Sequence, residues 1–198
     1  VRTRIRLSGR GPPMIHPWHD LPAGKDAPHE VLAVVEIPSR SRNKYELDKA
    51  SGLFRLDRLL YSAVHYPGDY GFIPQTLAED GDPCDILVLT TEPTFTGCLI
   101  DARPIGLLRM LDRGEHDDKV LAVPAEDPFQ NEFSEYTDLP SHTLREIAHF
   151  FEIYKDLEGK RVQVVGWEGS AAAREEVQRS IGRYVGHPEL QPTVRAAR

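Results

Sequence analysis

Sulfur and long apolar runs are scarce in this sequence. Its 198 residues include two cysteines, Cys84 and Cys98, in no C-x-x-C or zinc-type arrangement. They read as two small apolar thiols in a reducing compartment, neither a disulfide framework nor a metal knuckle. No apolar run approaches the roughly 18 residues of a membrane span, so a transmembrane reading fails. Positive charge is also short, with 24 Lys and Arg against 31 Asp and Glu and a formal net charge of −7. A nucleic-acid backbone is disfavoured as partner, because such binding depends on basic side chains displacing counterions. A G-x-x-x-x-G-K-[ST] loop is missing too, which argues against one large class of nucleotide hydrolases. The 40% hydrophobic content is enough for one core, and the length suits one domain.

Residues 1–28 carry Arg2, Arg4, Arg6 and Arg10 and then several prolines and glycines without an apolar period. They read as an extended arm, with the remnant of an organelle-targeting peptide as the alternative. His16 and His19 have a metal-compatible spacing, but Pro17 disfavours a helix there and no further ligand adjoins them. From Val31 to about Val123 the pattern is strand-like, with Val31–Ile37, Lys44–Asp48, Ile86–Leu89 and Pro104–Leu108 separated by turn formers. Alternation puts Lys44, Glu46 and Asp48 on one strand face, which a barrel would turn into a polar groove. Leu144, Ile147, Ala148, Phe151 and Tyr154 then repeat at helical spacing, and a second helix is expected from Ser170 to about Tyr184. Strands followed by helices point to an α+β or mainly β domain over 29–186, with a tail at 187–198.

The chemistry gathers in two acidic turns. In Asp80-Gly81-Asp82-Pro83-Cys84-Asp85, three aspartates fall within six residues, directly before an apolar strand. Close carboxylates repel one another, and a cation relieves that repulsion. Gly81 and Pro83 suit a stiff turn that holds oxygens for a hard divalent ion. The second turn, Asp112-Arg113-Gly114-Glu115-His116-Asp117-Asp118-Lys119, also lies between apolar segments. Either turn alone reads more readily as a solvated surface turn or hairpin tip. Two carboxylate loops at strand ends can share metals.

With these turns, Tyr66-Pro67-Gly68-Asp69-Tyr70-Gly71-Phe72, Lys44-Tyr45-Glu46-Leu47-Asp48-Lys49 and Phe150-Phe151-Glu152-Ile153-Tyr154-Lys155, the sequence resembles the soluble family I inorganic pyrophosphatases from about Pro22 to Trp167. His16-Pro17-Trp18-His19-Asp20-Leu21 and Gly114–Lys119 are closer to plant and algal members. The resemblance implies a closed five-stranded OB-like barrel with two helices beside it, hydrolysing pyrophosphate to two phosphates in the cytoplasm. It implies several magnesium ions per site, with manganese or zinc able to substitute and calcium inhibitory. Asp80, Asp85, Asp112, Asp117 and Glu46 match metal positions, and Asp82 matches the base. Lys44, Arg58, Tyr70, Lys119, Tyr154 and Lys155 match phosphate-holding positions, Tyr66 a proton donor, and Glu36 an outer metal position.

Many bacterial relatives carry an acidic residue where Arg113 stands. A guanidinium cannot ligate magnesium, so Arg113 is expected to turn away from the metals. Ile153 replaces a histidine found at a subunit contact in some bacterial hexamers, so a homo-oligomer is open but its size is not carried over. Two other functions compete. A non-catalytic OB-like binding module would have lost ligands and gained a basic, aromatic face, and neither change is seen. An enzyme acting on nucleoside triphosphates or longer polyphosphates is separable by substrate comparison.

Overall fold

The computed structural model describes residues 15–190, so the arginines of the arm and most of the tail lie outside it. Among the described residues nine strands and two α-helices follow one another. They are β1 (Val31–Ile37), β2 (Asn43–Asp48), β3 (Leu53–Leu59), β4 (Asp69–Phe72), β5 (Asp85–Val88), β6 (Leu99–Asp112), β7 (Glu115–His116), β8 (Lys119–Pro124), α1 (Ser141–Ile153), β9 (Val162–Gly169) and α2 (Ser170–Val185). The class is the expected mixed, sheet-dominated one with two helices.

β1 pairs with β4, β4 with β5, β5 with β8, β8 with β6, and β6 again with β1. All of these are antiparallel except β5–β8. Because β5 and β8 run parallel in the register Ile86↔Val120, the residues just before them, Asp85 and Lys119, stand side by side at one end. β6 arrives antiparallel to β8, and its last residue, Asp112, lies at that same end. β2 and β3 form a separate two-stranded sheet, which closes over the cavity edge with Lys44, Glu46 and Leu47.

β1 is buried on both faces, as a near-continuous Val/Ala/Ile run should be. Val31, Ala33 and Val35 pack with Ala173 and Val177 of α2, while Ile37 joins Ile147, Phe150 and Phe151 of α1 in a second cluster. The helices thus press on different parts of the sheet through stripes at three- and four-residue spacing. α2 begins against Glu135, whose carboxylate accepts from the Ser170 amide at 2.8 Å and hydroxyl at 2.5 Å. That supplies a negative charge and an acceptor where a helix start needs them.

The described part of the arm packs against the domain. Trp18 is 2% exposed and belongs to a third cluster with Val34, Phe72, Leu77 and Tyr184.

Candidate active site

One cavity of about 400 Å³ opens at the strand ends described above. Asp80, Asp82 and Asp85 enter it from the turn before β5, and Asp112 and Asp117 from the turn after β6. Glu36, Lys44, Glu46, Tyr66, Tyr70, Lys119, Tyr154 and Lys155 complete most of the remaining wall. Segments remote in sequence meet here because the ends of β5, β6 and β8 lie together, with β2 along one edge. Of the residues singled out from sequence for metal, catalytic or phosphate roles, all but Arg58 line this cavity.

Lysine amines pair with most of its carboxylates. Lys119, with its side chain 3% exposed, bridges Asp85 at 2.5 Å and Asp117. Lys155 donates to Asp112 at 2.7 Å, Lys44 to Glu46 and Lys49 to Asp82. Burial alone would lower the Lys119 pKa, but Asp85 and Asp117 outweigh it and push it up. Burial pushes the Asp85 carboxyl up against the pull of Lys119, and it raises Asp80 as well. Burial likewise drives the Tyr66 and Tyr70 hydroxyls well above the usual phenol range. Both keep their protons at neutral pH and face the cavity as donors. Their rings are fixed by packing, Tyr66 at 5.3 Å from Tyr70 and 4.8 Å from Phe150.

Among the described residues no three His, Cys, Asp or Glu side chains are drawn close enough to ligate one ion. The donor chemistry nevertheless fits a hard divalent cation, since carboxylate oxygens converge from two turns and a strand. Asp112 Oδ1 is buried with no hydrogen-bond partner. A buried acceptor left unsatisfied is costly, and a cation would satisfy it.

Some expectations shift. Arg58 is not on the wall; its guanidinium is held by Asp57 and, at 2.8 Å, by Glu158. Asp48 shares the alternation of Lys44 and Glu46 but lies at the strand end, where it accepts from the Ala50 and Ser51 amides and from Arg55. Arg113 is exposed and borders the cavity, in a left-handed conformation at φ 54°. Lys49 also lines the cavity, a place its sequence position does not announce. It falls just past β2, where strand alternation no longer says which way a side chain points. Glu115 and His116 also line the cavity, and only their place in an acidic turn hinted at it.

A sequence model of inorganic pyrophosphatase matches residues 33–185. The chain belongs to the inorganic pyrophosphatase family. It is 56% identical over 154 residues to the inorganic pyrophosphatase of Geobacillus stearothermophilus, covering 78% of this chain and 93% of that protein. It is 52% identical over 172 residues to soluble inorganic pyrophosphatase 2 of Chlamydomonas reinhardtii, covering 87% and 90%. Among solved structures, the inorganic pyrophosphatase of Thermus thermophilus superposes with a TM-score of 0.83 at 48% identity, over 86% of this chain and 99% of that one. The plant and algal resemblance read in the sequence is matched by the Chlamydomonas relative, and bacterial relatives stand at similar identity. The cavity described above is the natural place to seek a pyrophosphatase site.

Proposed function

We propose that the protein hydrolyses inorganic pyrophosphate to two orthophosphates in this cavity, with magnesium as the preferred ion. The observation that carries the reading is the convergence of Asp80, Asp82, Asp85, Asp112 and Asp117 with the lysines and tyrosines on one wall, in a chain of pyrophosphatase sequence. Asp80, Asp85, Asp112, Asp117 and Glu46 would hold the divalent ions, which when bound acidify water and neutralise phosphate oxygens. Asp82 accepts the proton of the attacking water. Lys44, Lys119, Lys155, Tyr70 and Tyr154 hold the substrate oxygens and stabilise charge on the leaving phosphate. Arg58 joins them by exchanging its carboxylate partners for phosphate, and Tyr66 donates a proton to the departing group. Glu36 supports the ligands from behind.

The same proposal takes the five strands that pair in a circuit as the closed OB-like barrel, flanked by an arm at 1–28 and a tail at 187–198. Trp18 anchors the arm's end to the domain. The free thiols Cys84 and Cys98 suit the reducing cytoplasm. Small ions are the partners, and a homo-oligomer would cover exposed leucines such as Leu53 and Leu56.

The test is phosphate release from pyrophosphate, ATP and tripolyphosphate with magnesium, manganese, zinc, calcium or excess chelator. We expect pyrophosphate and magnesium to give the fastest turnover, calcium to inhibit, and chelator to abolish activity. Calcium is larger and tolerates looser geometry, so it fills the oxygen cage while misplacing the reacting groups. Full activity in chelator would overturn the reading.

A further inference from the structure

Asp82 differs from the aspartates around it. Its side chain is 54% exposed, on a turn whose Gly81 has φ 86° and open space about its Cα. A carboxylate so placed has rotamer freedom, and a general base must hold one oxygen within hydrogen-bond reach of its proton. One cation addresses it among the described residues. Lys49 Nζ donates to the Asp82 carboxylate and lies 3.3 Å from the Gly81 carbonyl oxygen.

Lys49 is in turn fixed from behind by the arm. Its ammonium lies 5.5 Å from the centroid of the Trp18 ring, a cation–π distance. Its carbonyl oxygen meets His16 Nε2 at 3.1 Å, while the Trp18 amide meets His16 Nδ1 at 3.3 Å. One neutral tautomer satisfies both contacts, with Nε2–H donating to Lys49 and Nδ1 accepting from Trp18. The His16 ring also lies against the turn after β2, where a Cβ on Gly52 (φ 71°) would come within 3.0 Å of it. On its other side the segment grips the chain leading to the acidic turn. The Trp18 indole donates to the Thr76 carbonyl at 2.8 Å, and the Gln75 amide donates to the Trp18 carbonyl at 2.8 Å. Thr76 Oγ1 accepts from the Cys84 amide at 2.9 Å, closing the loop that carries Asp80 and Asp82. Residues 16–20 therefore staple the turn bearing Lys49 to the loop bearing Asp82, and they lie before the 33–185 stretch that matches the family.

We propose that His16, Trp18 and Lys49 form a positioning unit for Asp82, a role that rests on the assignment of Asp82 as base. Lys49 holds the carboxylate in one rotamer and pairs with its charge. Trp18 and His16 restrict the long lysine chain, so its hydrogen bond is largely pre-organised.

The test compares wild type, Lys49→Met, Lys49→Arg and His16→Ala in pyrophosphate hydrolysis at saturating magnesium, with unfolding midpoints measured alongside. Outer partners of catalytic groups are worth about 10–100-fold. We expect Lys49→Met to lower kcat by about tenfold or more with KM within about twofold, Lys49→Arg to recover most of it, and His16→Ala to lose about threefold. A Lys49→Met variant with wild-type kcat, or with its loss confined to KM, would overturn the proposal. A wild-type protein without pyrophosphatase activity would instead overturn the function itself. A second measurement is independent of turnover. In a Trp167→Phe background Trp18 is the sole tryptophan, and adding Lys49→Met should shift its emission; identical spectra would show that the ammonium does not sit on the ring.

Discussion

Asp82 and Asp85 stand three positions apart on one turn, yet they meet different surroundings. Asp85 is half-buried against Lys119 where parallel strands begin, whereas Asp82 is largely exposed and held by Lys49. Asp82→Asn should therefore fold and bind magnesium while losing on the order of a hundredfold in kcat. Asp85→Asn should raise the magnesium requirement as well, which a titration of rate against free magnesium will separate. Glu36 gives a pH signature. Burial raises its carboxyl from 4.5 to about 8, so the native state holds this proton where the unfolded chain has lost it. Stability from this group falls as pH rises from about 4.5 to about 8. Thermal unfolding in chelator should show that decline in wild type and a flatter profile in Glu36→Gln; equal slopes would show that Glu36 ionises normally. The aspartates were legible in sequence because close carboxylates are chemically conspicuous. Lys49 was not, since a lone lysine after a strand carries no sign of its partner.

Elements were legible in proportion to their burial. β1 and both helices have apolar patterns that only one arrangement can bury, and they formed where expected. β3 was not singled out: Leu53, Leu56 and Leu59 are exposed and alternate with charges, so the strand exists through its pairing with β2. β9 pairs along β6 from Gly106↔Gly169 to Asp112↔Val162, and its alternating half-exposed residues gave little local signal. β4 is decided by close approach. A Cβ at Gly71 would collide with the Val34 carbonyl oxygen and sit 2.8 Å from its carbon and 3.0 Å from the Glu36 amide nitrogen. Gly71→Ala should destabilise by about 1–3 kcal/mol through overpacking. Since Tyr70 adjoins it, denaturant unfolding and turnover should fall together; an unchanged unfolding midpoint would mean that the β1–β4 contact is looser.

At the scale of the whole molecule, the cavity couples binding to stability. Ions that bind only the folded state stabilise it by about 2.7 kcal/mol at a concentration one hundred times their Kd. Magnesium should therefore raise the unfolding temperature of wild type and raise it less in Asp85→Asn, a calorimetric measurement that needs no substrate. Trp18→Ala should lower stability by about 3–5 kcal/mol, because the arm's end is part of the core. The sequence by itself determined the acidic turns, the apolar strand and helix patterns and the family likeness, all carried by neighbouring residues. Only the tertiary structure decided that Arg58 rests on Glu158, that Arg113 borders the cavity, and that Lys49 reaches Asp82 across 33 positions. Such contacts depend on strand register and on which way a turn points a flexible side chain. Local periodicity encodes neither.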